Sequence, residues 1–452
     1  MKKIRICCLL ILLFPSLIFP QTGQDFKNRR NNLKKLLKDN ELIFLKSNPV
    51  KNRNSDIDYK YRQDSNFYYL TGITEPNSFL LITKKAVLKY DSNLQPVDEI
   101  LFIQERNPYI EKVTGKMLGF EEAMKNYKFN IVLSNKKLND ILLQNLKNIG
   151  TVYINIAGRG KTTDSYYQLL KKIKEENSLK FDIKNTSKFL GILRAIKSPS
   201  ELECMQKAIN ITATAIREAM RSAEPGMYEY ELEAVIEYVF RKMGAQRWGF
   251  PSIIGSGPNS CILHYQKNNR KIEDGDLILF DVGAEYNMYS ADISRTIPAN
   301  GKFSDRQKRI YNIVLKANEE AIKAVKPGIT FTELNKIAQG IMAKGLYELG
   351  FIDKPDNIKA ASKYTRHGIS HSLGLDTHDA FSYGEFKTLK PSMVFTIEPG
   401  IYIPEEKIGI RIEDDILVTE DGYKVLSALA PKTVEEIEKL MTEKGIGNYK
   451  IK

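Results

Sequence analysis

Twice in the second half of this chain, a strand-like apolar run carries carboxylates where burial should forbid them. Residues 277–297, LILFDVGAEYNMYSADISRTI, hold Asp281 and Asp292; residues 393–415, MVFTIEPGIYIPEEKIGIRIEDD, hold Glu398 and Glu413. Each reads as two strands joined by a short loop, with its acids among Val, Ile, Leu, Phe and Tyr. A carboxylate in such a setting is costly unless something charged meets it. Placing the first turn at Tyr286-Asn287 sets Asp281 directly opposite Asp292, and a turn at Glu405-Glu406 sets Glu398 opposite Glu413. Residues so paired lie roughly 5 Å apart at Cβ, and like charges there repel. Facing acids either share a proton or hold a cation between them. Two pairs converging in one sheet would concentrate up to four negative charges, which favours metal. Hard oxygen ligands suit Mn, Mg or Ca, and an added histidine shifts the choice toward Mn, Co or Zn. Such a set can hold two ions about 3.5 Å apart, the spacing of sites that activate water.

The surrounding pattern sets the fold class as α/β, of the α+β kind. From about residue 24 to 190, strand runs such as FLLIT (79–83), EILFIQ (99–104) and TVYINIA (151–157) mix with helical runs such as FEEAMKNY and SNKKLNDILLQNLKN. At Ser198-Pro199-Ser200-Glu201 a capping box with proline at the first helical position opens a long helix. A second domain therefore begins near 191 and runs to about 445. It repeats itself. PGMYEYEL (225–232) resembles PGITFTEL (327–334), each opens a helix, and each precedes one of the acid-bearing hairpins. The period, about one hundred residues, is too long for a solenoid unit and indicates two duplicated halves sharing one sheet.

The histidines concentrate in the same half. The chain has four: His264, in SCILHYQ, and His367, His371 and His378, in RHGISHSLGLDTHD. HGISH lacks the glutamate of an HExxH zinc helix, and Gly368 opposes helix there. One histidine is therefore read as a metal ligand and the others as supporting or proton-handling groups. Arg411 shares strand parity with Glu413 and either orients that acid, binds a substrate carbonyl or carboxylate, or forms a structural ion pair.

Composition narrows the partners. Of 452 residues 42% are hydrophobic and 27% charged, an ordinary soluble profile, and the +13 net charge is scattered among Asn and Ile instead of clustered, so nucleic acid is not an expected partner. The first twenty residues pair Lys2, Lys3 and Arg5 with an apolar stretch from Ile6 to Phe19, the layout of a secretory signal. Cleavage near residue 22 and export to the periplasm, cell envelope or exterior are expected, with an uncleaved anchor as the alternative. No later segment is apolar and long enough to span a membrane. Beyond the signal, Cys204 and Cys261 are expected to be structural thiols.

By these residues the chain resembles the creatinase/aminopeptidase superfamily of "pita-bread" metallohydrolases, and within it aminopeptidase P, the Xaa-Pro aminopeptidases. The resemblance lies in RNSDIDYKYRQDSNFYYLTGITEP (53–76), GSGPNSCILHY (255–265), FDVGAEYNMYSADISRTIPANGKFS (280–304), HGISHSLGLDTHD (367–379), TIEPGIYI and GIRIEDDILVT. It implies a creatinase-like N-terminal domain (23–190) followed by a pseudo-symmetric pita-bread domain (191–445). It implies two divalent ions, Mn by preference, held by Asp281, Asp292, His371, Glu398 and Glu413, with Asp292 and Glu413 bridging. Glu398 doubles as proton shuttle. His264 and His378 line the substrate side with Tyr402 and Tyr68, and His367 and Arg411 support them. The implied substrates are peptides with proline second, and a homo-oligomer is expected. Two positions depart from the family pattern: Tyr68 stands where tryptophan is expected, and Ser372 where a bulky aromatic is common. A dipeptide-only prolidase shares the metal set, and a peptide-binding member without catalysis is the reading from another class.

Overall fold

The fold is that of a computed structural model, which describes residues 21–156, 165–381 and 385–449. The expected signal segment lies outside the described residues. Among these, no helix is long and apolar enough to cross a membrane.

The N-terminal domain is built on a six-stranded mixed sheet. Its strands are β1 (Glu41–Lys46), β2 (Phe79–Thr83), β3 (Glu99–Ile103), β4 (Val132–Ser134), β5 (Thr151–Ile154) and β6 (Asp182–Asn185), in the spatial order β4-β3-β2-β1-β5-β6. β1 is buried on both faces. Leu42 and Phe44 join one apolar cluster with Leu81, Phe102 and Leu142. Ile43 and Leu45 join another that continues without a break into the second domain. The alternation of a strand thus divides its side chains between two cores. Helix α1 (Gly23–Leu36) lies over that second face and buries Phe26, Arg29, Arg30 and Leu33.

The second domain opens with α2 (Pro199–Ser222), whose capping box is formed as expected: Ser198 N donates to Glu201 Oε2 at 2.9 Å. Then come α3 (Glu229–Lys242), β7 (Ile253–Ser256) and the first acidic hairpin, β8 (Leu277–Val282) and β9 (Ile293–Pro298). The second half supplies α4 (Asp305–Lys323), α5 (Phe331–Glu348) and the second hairpin, built from β10 (Val394–Ile397), β11 (Gly400–Ile403), β12 (Ile408–Arg411) and β13 (Asp414–Val418). Helices α2 and α3 pack as a pair, as do α4 and α5.

The short repeat marks a structural equivalence. Gly226 and Gly328 adopt φ of 98° and 95°. Gly226 N donates to Ile272 O at 2.9 Å and Ile272 N to Met227 O at 2.8 Å; Gly328 N donates to Leu389 O at 3.0 Å and Leu389 N to Ile329 O at 2.7 Å. In both copies the same short turn then leads into the hairpin, with Asp276 N on Glu273 O in one and Met393 N on Lys390 O in the other, both at 3.2 Å. The third residue of that turn has positive φ each time, Gly275 at 84° and Ser392 at 66°.

The two positions make a test of backbone strain. Gly275→Ala forces a Cβ into the left-handed region, whereas Ser392→Gly relieves one there. Thermal denaturation should show Gly275→Ala lowering Tm by about 2–4 °C, roughly 1 kcal/mol at this domain size. Ser392→Gly should leave Tm unchanged or raise it. An equal fall for both would mean that neighbouring contacts, not φ, govern the turns.

Candidate metal centre

The two hairpins differ in how well their register follows the sequence. In the second, Ile397 pairs Asp414 and Gly400 pairs Arg411, so Glu398 and Glu413 fall at one level in the break between two ladders, as expected. In the first, Asp281 stands opposite Ser294, not Asp292. The turn is centred on Asn287-Met288, both with positive φ (48° and 72°), one residue later than expected. A two-residue turn of this hand wants φ > 0 at both central positions, and Asn287 accepts the first readily. Asp292 lies two residues from Ser294, on the same face, and so is a diagonal neighbour of Asp281.

Hydrogen bonds knit the hairpins together where the acids emerge. Glu413 N donates to Ser294 O at 3.0 Å, and Ser294 Oγ donates to Glu413 Oε2 at 2.7 Å. Asp292 N donates to Asp415 Oδ2 at 3.2 Å. Strand alternation sorts the three consecutive acids of the second hairpin. Asp414 turns away to Arg295 Nη2 (2.7 Å) and Lys432 Nζ (2.8 Å), while Glu413 and Asp415 stay on the inner side. The histidine segment is extended, not helical. It runs antiparallel to β10, with Glu398 N on Ile369 O at 2.8 Å, Thr396 N on His371 O at 3.0 Å and Leu373 N on Val394 O at 3.1 Å. That pairing brings His371 in among the acids.

His371 Nε2 lies 3.4 Å from Asp292 Oδ2, 3.6 Å from Glu398 Oε1 and 4.0 Å from Glu413 Oε1. Donor atoms of Asp292, His371 and Glu413 all fall within 4.8 Å of one another. These gaps suit ligands that each sit about 2.1 Å from a shared ion. Asp281 Oδ2 accepts from Arg411 Nη2 at 2.6 Å, while its Oδ1 is buried with no hydrogen-bond partner. A buried, unpaired carboxylate oxygen beside three further acids is the donor set a divalent cation fits. Without one the charges are suppressed. Burial, then Asp281, Asp415 and Glu398, hold the Asp292 carboxyl well above the usual range. Burial and the neighbouring acids do the same to Glu413. Glu398 is pushed up to about 7 by burial, against the pull of His371 and Arg411.

The site forms one wall of a cavity of about 830 Å³, and His264, His378, Phe250, Ile253, Leu263 and Leu375 face into it. The His371 and His378 rings are 4.3 Å apart. His367 also borders the cavity; its Nε2 lies 2.7 Å from Tyr402 Oη, and burial with the nearby Arg411 charge lowers its pKa to about 4. Arg411 orients Asp281, not Glu413, and also donates to Tyr402 Oη at 2.8 Å and Ser294 Oγ at 2.8 Å.

Two expected substrate contacts stand elsewhere. Tyr402 is fully buried behind Arg411 and His367, so its hydroxyl holds those groups and does not line the cavity. Tyr68 is also buried; its hydroxyl donates to Gln21 Oε1 at 3.2 Å, and the Gln21 amide reaches Tyr289 Oη at 3.0 Å. The tyrosine in place of tryptophan thus spends its hydroxyl on Gln21. Ser372, at the other departure, pairs with Phe395 beside β10. Sequence reasoning passed over Asp415 and Arg62. Parity with Glu413 was the available signal for Asp415. Arg62 lines the cavity from the N-terminal domain, its Nε 2.5 Å from Glu285 Oε2. Cys204 and Cys261 are buried free thiols.

A pH dependence follows for the metal-free protein. Folded Glu398 keeps its proton up to about 7, whereas its ordinary value is 4.5, and Asp292 and Glu413 shift in the same direction. The stability these groups contribute is complete below their unfolded pKa values and is lost as pH rises through the folded ones. Tm of the metal-free chain should therefore fall between about pH 5 and 8, less steeply in Glu398→Gln, and added divalent metal should restore it. A Tm that rises across this window, or that ignores metal, would contradict the assignment.

Comparison with known proteins agrees with this geometry. Residues 203–420 match the model of metallopeptidase family M24, and residues 26–153 match that of the aminopeptidase P N-terminal domain. An Xaa-Pro aminopeptidase of Haemophilus influenzae is 38% identical over 92% of this chain and 97% of its own. The solved aminopeptidase PepP of Pseudomonas aeruginosa superposes with a TM-score of 0.86 at 35% identity, covering 93% of this chain and 98% of that one. Aminopeptidase P of Escherichia coli, solved with the inhibitor Pro-Leu, does so at 0.84 and 34% identity, with the same coverage. The chain belongs to the aminopeptidase P group of metallopeptidase family M24.

Proposed function

We propose that this protein is a metal-dependent aminopeptidase that releases the first residue from peptides whose second residue is proline. The observation that carries this reading is the convergence of four acids and one imidazole on one wall of a peptide-sized cavity, with the three other histidines and an apolar surface facing it. An Xaa-Pro bond has no N–H, so a site must work without that contact. Asp281, Asp292, His371, Glu398 and Glu413 would hold two divalent ions. Mixed carboxylate and imidazole donors suit Mn. The ions, when bound, supply Lewis acidity to the scissile carbonyl and make water a nucleophile near neutral pH.

The chain's own groups do the rest. Glu398, 3.6 Å from His371 Nε2 at the edge of the acid cluster, takes a proton from the attacking water and returns it to the departing prolyl nitrogen. His264 and His378 face the substrate from the cavity wall and hydrogen-bond its carbonyl oxygen. Arg411 fixes Asp281, and His367 is held beside Glu398 by its own bonds, Nδ1 to Gly368 O and Nε2 to Tyr402 Oη, each at 2.7 Å. The apolar stretch between Ile6 and Phe19 supports export, which would direct the enzyme to exported or scavenged peptides.

The direct test is hydrolysis of matched Xaa-Pro and Xaa-Pro-Yaa peptides, with metal content measured alongside. Release of the first residue from the longer peptides is expected; turnover confined to dipeptides would make the enzyme a prolidase. Asp292→Ala and Glu413→Ala should lose metal and, with it, at least about 10³-fold in kcat. Glu398→Gln should keep some metal yet lose about 10²–10⁴-fold, the range for a general base. A neutral effect there would remove Glu398 from the proton path.

A further inference from the structure

The segment that carries His378 has no helix or sheet of its own. Residues 374–379 form a loop at the cavity rim, bracketed by Asp376 and Asp379, and both acids are held by cations outside the metal centre. Arg194, on helix Ser187–Ala195, is 3% exposed. Its Nη2 donates to Asp376 Oδ2 at 2.7 Å and also to Asp379 Oδ1, and its Nη1 donates to Asn66 Oδ1 at 2.6 Å. Lys197 Nζ reaches Asp379 Oδ2 at 3.3 Å. From the N-terminal domain, Ser65 Oγ donates to Asp376 Oδ1 and Arg62 Nη2 to Leu375 O, each at 2.6 Å. Asp379 N donates to Ser372 O at 2.9 Å, tying the loop back beside His371.

The chemistry favours a fixed loop. Asp379 is 1% exposed at its side chain, so its charge is tolerable only with Arg194 and Lys197 in place. A planar guanidinium can serve two carboxylates and an amide together, which an ammonium cannot do with the same geometry. With both flanking acids pinned, the peptide between them has little freedom, and the His378 ring is left 4.3 Å from His371.

We propose that Arg194 is a positioning residue: through Asp376 and Asp379 it fixes the loop that presents the His378 imidazole to the substrate. The N-terminal domain, through Arg62 and Ser65, completes the grip, so the placement of a catalytic-domain histidine depends on residues outside the metallopeptidase core. This inference rests on the aminopeptidase reading for the step in which His378 acts.

The variant is Arg194→Lys, which keeps the charge and loses the fork, with Asp376→Asn as a second variant should the first fold poorly. Only four histidines are present, so their imidazole signals can be resolved by labelling and assigned through His378→Ala. In the metal-free protein at fixed pH, Arg194→Lys should shift or broaden the His378 signal, and with it that of the neighbouring His371 ring, while leaving that of His367 in place. In the metal-loaded enzyme it should keep metal content and lower kcat/KM by about 10–10²-fold, the cost of a misplaced group. Placed on His378→Ala, the same change should cost less than about twofold, because the two act as one unit. An unmoved His378 signal, or an equal loss in both backgrounds, would overturn the proposal. Absence of turnover by the unaltered enzyme would instead count against the proposed function, and the imidazole signals would still decide the positioning role.

Discussion

Four carboxylates brought together out of water repel one another, and that repulsion is the constraint around which the second domain is arranged. Asp281, Asp292, Glu398 and Glu413 share one site with the guanidinium of Arg411, which is itself committed to Asp281, Ser294 and Tyr402, while Arg62 across the cavity is paired with Glu285. One cation cannot balance four acids. The metal-free protein resolves the imbalance by keeping protons on Asp292, Glu413 and Glu398, and divalent ions would resolve it by displacing them. The same groups that make the empty cage costly thus make it a strong ligand set.

The duplicated architecture serves this convergence. Each half delivers a hairpin entered through the same turn, and main-chain bonds such as Glu413 N to Ser294 O seat one hairpin against the other. Acids that do not belong to the cage are neutralised separately. Asp414 is paired with Arg295 and Lys432 and titrates well below the usual range, although it is as deeply buried as Glu413 beside it. Burial alone therefore does not decide protonation here; the face of the strand does, by choosing which charges each acid meets.

Much of this was legible in the sequence, and the limits have physical causes. Capping boxes at Ser198 and Thr330 involve residues three apart and can be read locally. The second hairpin follows simple register arithmetic because its pairing keeps one constant offset on both sides of the break at Glu398 and Glu413. The first slipped by two residues because the turn takes Asn287-Met288, a preference weaker than the Asn-Gly signal that would have announced it. The family resemblance set Tyr402 on the substrate side, yet its hydroxyl is taken up by His367 and Arg411 behind the cavity wall. The Arg194 network offered no local sign at all: its partners Asp376 and Asp379 lie 182 and 185 residues away. Charges that meet only through tertiary folding leave no spacing to read.

The central claim, that protons and divalent ions compete for one cage of acids, can be measured directly by calorimetric titration of the metal-free chain with Mn near pH 7, in two buffers of different ionisation enthalpy. The account predicts about two ions bound per chain and a net release of protons to the buffer. A single ion taken up with no proton release, or no uptake at millimolar metal, would contradict it.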